Sequence, residues 1–229
     1  MKIGIYTDCH YSSKEVSGPR YHSQSLRKIK EAYEAFEREG CELAICLGDL
    51  IDTEPHISME IDNLTKIGEV IRGFSIPTVS LMGNHDAFVL TDEQFYKVLG
   101  IPRVDELSLG DKRLLFLDAC YFKSGRHYKP GDSDWTDSFF PYEEELCKKL
   151  TVGVDTYIFV HQNIDPQIRA DHRIFNADRL IEIINKSGTV KAVFQGHYHP
   201  GHTSEHGGIK YITLPAMCEN ENAFLCFNI

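Results

Sequence analysis

The 229-residue sequence has no apolar run long enough to cross a bilayer, no low-complexity or charge-only tract, no internal repeat, no linker and no C-x-x-C pair. The first absence excludes a transmembrane helix. The first apolar run, "IGIY", breaks at once into "TDCH", so there is no signal-peptide core and the cytoplasm is the expected compartment. Without repeats or linkers, residues 1–229 read as one domain, and a hydrophobic content of 42% supports a sizeable core. The seven cysteines are odd in number, which suits reduced core thiols better than a disulfide framework. Basic residues are also short: 24 Lys and Arg stand against 34 Asp and Glu, a formal net charge of −10. That balance disfavours an extended nucleic-acid surface, and any anionic ligand needs a local source of positive charge.

What is present is an alternation of apolar runs and amphipathic segments. Residues 2–8 read as a buried strand, and 25–40 as a helix with Leu26, Ile29, Tyr33 and Phe36 on one face and Gly40 as its stop. Strands follow at 43–49 and 78–84. Helices are expected at 57–71 and at 91–100, where Thr91 and Gln94 form a capping box. This βαβαβα half implies a parallel sheet with right-handed crossovers. The second half reads as a hairpin over 107–119 turning at Gly110-Asp111, strands at 156–161 and 190–194, and a helix over 176–186. A second hairpin over 202–215 turns at Gly207-Gly208, and "AFLCFNI" closes the chain as a strand. Two mixed sheets packed together with helices outside are expected. The irregular stretch 120–140 is long enough to have a function of its own.

Five of the apolar runs finish in residues of metal-binding type: Asp8 and His10 in "DCH", Asp49 in "GDLID", Asn84 and His85 in "GNHD", His161 in "VHQ", and His197 and His199 in "QGHYHPGH". Singly, most of these have ordinary explanations as caps, Gly-Asp turns or surface histidines. Jointly they point to one site, because in open α/β sheets ligands gather beyond the carboxyl ends of strands. His202 falls outside the pattern and starts a hairpin strand. The ligands that result are two aspartates, one asparagine carbonyl and four of these five histidines. That set is too rich for one tetrahedral ion and lacks the thiolates of a structural zinc site. Two ions sharing one aspartate use it fully, and mixed oxygen and nitrogen ligation suits manganese, iron or zinc. Two ions about 3.5 to 4 Å apart are the usual device for in-line displacement at phosphorus, so hydrolysis of a phosphoester or phosphoanhydride is expected.

D-x-H, G-D, G-N-H-D, H and G-H-x-H in this order resemble the calcineurin-like metallophosphoesterase superfamily, over essentially the whole chain. The resemblance implies a four-layer α/β/β/α sandwich. By motif position it gives one metal to Asp8, His10, Asp49 and His199, and the other to Asp49, Asn84, His161 and His197. Asp49 bridges, together with a water or hydroxide as nucleophile. His85 matches the non-ligand histidine expected to contact phosphoryl oxygens or protonate the leaving alkoxide. Asp86 beside it is a candidate for fixing its tautomer, with a turn residue as the plainer alternative. Cys9 reads as a packed thiol.

Two further stretches, "GPRYHSQSL" at 18–26 and "HGGIKYITLPAMCENENAF" at 206–224, resemble the manganese-dependent ADP-ribose/CDP-alcohol diphosphatases. That branch implies manganese as the metal, a small nucleoside-diphosphate substrate and Arg20 as a contact to its second phosphate. The chain departs from a common superfamily pattern at "HQNID" (161–165), where a second histidine and prolines often follow the ligand. A cyclic-nucleotide phosphodiesterase and a phosphomonoesterase or phosphoprotein phosphatase are the alternatives among enzymes. A non-catalytic scaffold with a vestigial metal site is the alternative outside them. In the 120–140 loop, Tyr121, Phe122, Tyr128 and Trp135 alternate with Lys123, Arg126 and Lys129, a mixture fit to stack a base and meet phosphates or simply to anchor a surface loop.

Overall fold

Two β-sheets lie face to face in the computed structural model, which describes residues 1–150 and 153–229. The first sheet takes β1 (Lys2–Tyr6), β2 (Leu43–Cys46), β3 (Thr78–Ser80) and β10 (Phe224–Asn228) in the order β10-β1-β2-β3. β1, β2 and β3 run parallel, and β10 pairs antiparallel with β1. The second sheet takes β4 (Glu106–Leu109), β5 (Lys112–Leu117), β6 (Thr156–Val160), β7 (Val190–Gln195), β8 (His202–His206) and β9 (Ile209–Thr213) in the order β4-β5-β6-β7-β9-β8. Its centre, β5-β6-β7-β9, is parallel, with an antiparallel strand at either edge. Both sheets are mixed, as expected.

Strand alternation sorts the side chains into three cores, and these define four layers. Ile3, Ile5, Ile45 and Val79 of the first sheet face Leu114, Phe116, Phe159 and Phe194 of the second. Phe116, Phe159 and Phe194 hold one register across β5, β6 and β7 and stack with centroids 5.1 Å apart. The outer face of the first sheet packs on α1 (Ser25–Glu39), α2 (Ile57–Arg72) and α4 (Asp92–Leu99) through Ile29, Phe36, Leu64, Ile67 and Phe95. Gly4 is required there, because a Cβ on it would lie 2.5 Å from the Phe36 ring. The outer face of the second sheet packs on α5 (Glu143–Leu150) and α6 (Ala177–Ser187) through Leu146, Leu150, Leu180 and Ile184. The architecture is the four-layer α/β/β/α sandwich.

Several boundaries differ from the sequence expectation. β1, β2 and β3 stop at Tyr6, Cys46 and Ser80, because the chain turns out of each strand to build the ends described below. Asn84 is not strand but the first residue of a short helix, α3 (Asn84–Val89). α5 had no counterpart in the sequence reading: "EEELCKKL" offers only two buried apolar positions, and its acidic first turn and basic last turn mark it instead. Thr91 caps α4 and Gln94 completes the box, while Gly40 closes α1 in a left-handed conformation. Among the described residues no helix is long and apolar enough to cross a membrane.

Candidate metal centre

The carboxyl ends of β1, β2, β3, β6 and β7 open onto one edge of the sandwich, and five chain segments meet there. They approach closely because Gly48, Gly83 and Gly196 leave room. A Cβ at Gly83 would fall 2.5 Å from the Asp49 backbone nitrogen, and one at Gly196 would fall 2.7 Å from Asp8 Oδ2. Asp8, His10, Asp49 and His197 all sit in the left-handed backbone region, with φ of 53°, 45°, 54° and 65°. For side chains of this kind that conformation costs on the order of 1–2 kcal/mol each. Neighbouring segments hold it: Asp8 N donates to Gly48 O at 3.0 Å, His10 N to Asp49 O at 2.9 Å, and His197 N to Asp8 Oδ2 at 3.0 Å. Backbone strain is thus concentrated on side chains that converge.

Those side chains form two groups sharing one carboxylate, Asp8, His10 and Asp49 on one side and Asp49, His161 and His197 on the other. Asp49 Oδ2 lies 3.6 Å from His10 Nε2 and 3.2 Å from His161 Nε2. His10 Nε2 is 3.2 Å from His199 Nε2, and His199 Nε2 is 3.5 Å from Asp8 Oδ1. Asn84 Oδ1 is 3.2 Å from His161 Nε2. Ligands held about 2.0–2.2 Å from one ion stand roughly 3.0–3.6 Å from one another, so the spacings match ligand atoms around a common ion. Asp8 Oδ1 and His197 Nε2 are buried with no hydrogen-bond partner, a costly state that coordination would relieve. The donor set and the orphaned atoms fit two ions of the oxygen- and nitrogen-preferring kind.

Outer contacts fix which imidazole nitrogen is free. His161 Nδ1 donates to Leu47 O at 3.1 Å, and His199 Nδ1 donates to Glu219, leaving both Nε2 atoms as lone-pair donors toward the centre. His22 Nδ1 donates to His10 O at 2.7 Å and so braces the strained turn. Burial opposes ionisation of Asp49, but His161, His85 and His10 outweigh it and hold the carboxyl far below its usual range. Burial likewise opposes charge on His161, yet the Asp49 carboxylate raises it to about 9. His10, buried and beside His85, falls to about 4.

His85 lies next to this centre, with its ligand atom in reach of those of His10 and Asp52. Its ring stands edge-on to His10 with centroids 4.5 Å apart, and its Nδ1 is 3.2 Å from Asp52 Oδ1. Burial lowers its basicity, but Asp49 and Asp52 raise it further. Asp86, a candidate partner or a turn residue by sequence, takes the second part. Its carboxylate accepts from Gly83 N at 3.0 Å and Ile51 N at 3.1 Å, so it caps the start of α3 and ties it to the segment after β2. Asp52 therefore takes the place assigned to Asp86, and it also lies 3.4 Å from Arg20 Nη1. Arg20 is brought to the site, with Glu219 at 4.0 Å from its Nε. Cys9 is fully buried and its Sγ meets the Met217 sulfur at 3.6 Å, a packed thiol that burial keeps protonated.

A cavity of about 280 Å³ opens over these residues, lined by Arg20, Asp49, Asn84, His85, Trp135, His172, His197, His199 and Pro200. Asp52, Glu219 and His172 were not singled out as site residues from sequence, whereas Trp135 belongs to the loop read there as fit to stack a base. Asp52 stands three residues after Asp49 in "GDLID", the one local signal available for it.

The family model for calcineurin-like phosphoesterases matches residues 1–201. The chain is similar to the 3',5'-cyclic adenosine monophosphate phosphodiesterase CpdA of Haemophilus influenzae, 23% identical over 229 residues that cover 95% of this chain and 77% of that protein. Among solved structures it resembles a dimetal phosphatase from Danio rerio, with a TM-score of 0.85, 18% identity and coverage of 99% of this chain and 91% of that one. A purple acid phosphatase from yellow lupin gives a TM-score of 0.63 at 13% identity, covering 100% of this chain and 46% of that one.

Proposed function

The chain belongs to the calcineurin-like phosphoesterase family, and from that premise we propose that it hydrolyses a small phosphodiester or a nucleoside-diphosphate derivative of the ADP-ribose/CDP-alcohol type. Asp8, His10, Asp49 and His199 hold one ion in this reading, and Asp49, Asn84, His161 and His197 the other. Manganese is the proposed metal, with iron or zinc compatible with the same donors. The observation that carries the reading is Asp49 Oδ2, one oxygen within 3.6 Å of His10 Nε2 and 3.2 Å of His161 Nε2, and so shared by both groups. The cytoplasm is the proposed compartment, where the free cysteines would stay reduced.

When bound, the ions supply Lewis-acid charge to the phosphoryl oxygens and a water of lowered pKa. The chain's own residues do the rest. Asp49 is held by the His85 backbone N–H, which donates to its Oδ1 at 2.8 Å, so Oδ2 faces the shared position. His85, with Nδ1 on Asp52, turns Nε2–H to the leaving oxygen and gives it a proton as the P–O bond breaks. Arg20 donates to a second phosphate where the substrate carries one.

A second reading, cleavage of a cyclic phosphodiester, is favoured by the similarity to the cyclic adenosine monophosphate phosphodiesterase. One assay tests both: the manganese-supplemented protein offered ADP-ribose, CDP-alcohols, 3',5'-cyclic nucleotides and phosphomonoesters. Turnover of the diphosphates above the rest supports the first reading, and preference for cyclic nucleotides replaces it with the second. Less than about one tightly held ion per chain with no hydrolysis would leave only a scaffold.

A further inference from the structure

Trp135 is the sole tryptophan of the chain, and it lies on the wall of the cavity over the metal centre. Neither ligation nor proton transfer uses it. Its ring centroid is 5.0 Å from that of His172 and 5.6 Å from that of His197, at interplanar angles of 60° and 63°. Both imidazoles are steeply tilted to the indole, so neither stacks flat on it, and the side chain remains 37% exposed. A flat aromatic surface left uncovered on a cavity wall is suited to a parallel ring.

The loop that carries it is tied down on both sides. Ahead of it, Arg126 grips Asp132 with two bonds of 2.8 and 3.1 Å, and Lys129 N donates to the same carboxylate. Behind it, the buried Tyr128 donates its hydroxyl to Asp137 O at 2.7 Å, and Phe175 N donates to Ser138 O at 2.7 Å. A ring presented from a fixed segment loses little freedom on binding. Two of the loop's three cations are engaged elsewhere: Arg126 is held by Asp132 and lies 4.4 Å over the Phe122 ring, and Lys123 lies 4.3 Å over Phe175. The segment thus offers the cavity an aromatic face through Trp135. Arg20 and His85, linked through Asp52, line the same cavity, while Trp135 adjoins His197.

We propose that Trp135 is a specificity-determining residue that stacks the nucleobase of a nucleoside phosphate whose phosphoryl group lies at the metal centre. The proposal rests on the phosphohydrolase reading above and narrows its substrate class. Stacking of a base on an aromatic side chain corresponds to about 5- to 150-fold in affinity.

The test compares AMP with ribose 5-phosphate, which carries the same phosphate and sugar without the base. Because Trp135 is the only tryptophan, intrinsic fluorescence of the manganese-loaded protein reports on this wall directly. AMP should change it saturably and ribose 5-phosphate should not. As inhibitors of bis(p-nitrophenyl) phosphate hydrolysis, AMP should be about 5-fold or more tighter than ribose 5-phosphate. Trp135→Ala should bring the two inhibition constants together by weakening AMP alone, and Trp135→Phe should keep most of the difference. Equal inhibition by the two in the unmodified protein, or equal loss of both in Trp135→Ala, would overturn the stacking role. Hydrolysis without base selectivity removes this proposal and leaves the phosphohydrolase reading intact. Base-selective fluorescence in a protein that hydrolyses nothing would do the reverse.

Discussion

His85 Nδ1 lies 3.2 Å from Asp52 Oδ1, and this contact, rather than one to the adjacent Asp86, orients the proposed proton donor and adds to the basicity that Asp49 gives it. Asp52→Asn keeps the shape but removes the charge. It is expected to lower kcat by about 10- to 100-fold while manganese content stays at the unmodified level. The sign of the pH effect follows from the same contact. Asp52 raises the His85 pKa, so its loss should move the alkaline limb of the kcat profile, where His85 loses its proton, to lower pH. A limb that stays in place would show that Asp52 does not act through His85.

The metal-free protein should lose stability between about pH 7 and pH 9. Asp49 raises His161 to about 9 against an ordinary value near 6.5. The folded state therefore holds a proton in that window which the unfolded state has already released. The resulting stabilisation is fully present below about 6.5 and is lost as pH rises through about 9. His85 and His199 are raised as well and add to the same slope. Metal binding must expel the His161 proton, so metal affinity should rise with pH over the same range and the slope of the metal-loaded protein should be shallower. Thermal unfolding of chelator-treated and manganese-loaded samples from pH 6.5 to 9 checks both. A flat curve for the metal-free protein would count against the Asp49–His161 ion pair.

Asp86→Asn separates a cap from a catalyst. The carboxylate accepts two backbone N–H bonds while fully buried, and an amide offers only one acceptor oxygen in its place. The variant should therefore be less stable, by about 1–3 kcal/mol. The pH profile of kcat should keep its shape, since His85 keeps Asp52. Denaturant unfolding measures the first effect and steady-state kinetics the second. An unchanged midpoint with a displaced profile would restore Asp86 to the proton-transfer machinery.

What was legible in the sequence was whatever a short segment carries alone. "GD", "GNHD" and "GHYH" each pair a glycine with a chemically distinctive residue just past an apolar run, and the fold gathers those segments because all of the strands that precede them end at one edge. The sandwich was legible through its apolar runs, the hairpin turns at Gly110-Asp111 and Gly207-Gly208, and the stops and caps at Gly40 and Thr91. Asp52 and Glu219 were not, since each acquires its role from a segment distant in sequence. Glu219 becomes the partner of His199 only because the turn after β9 passes the end of β7. The left-handed backbone at Asp8, His10, Asp49 and His197 has no signal at all, because it is imposed on ordinary residues by tertiary hydrogen bonds. Of the two readings open for Asp86, the contacts match the turn residue: adjacency suggested a pair with His85, whereas the start of α3 turns the carboxylate back to Gly83.

Asp49→Asn and His85→Ala should fail in different ways, and the difference tests the whole arrangement. Asp49 Oδ2 is the one oxygen near both groups of ligands. Replacing the carboxylate by an amide removes a negative charge shared by two cations, so both ions should weaken together. Turnover should fall by more than about 10³-fold, the several kcal/mol that paired ions contribute. His85 stands beside the centre with its Nδ1 on Asp52 and is not among the proposed ligands. Its removal should leave two ions per chain while kcat falls by about 10²- to 10⁴-fold, the span of general acid catalysis. Elemental analysis after gel filtration, paired with single-turnover rates, reads both quantities on the same samples. Loss of metal in His85→Ala would move that residue into the ligand set. Retention of both ions in Asp49→Asn would remove the shared carboxylate, and with it the reason for treating the two groups as one centre.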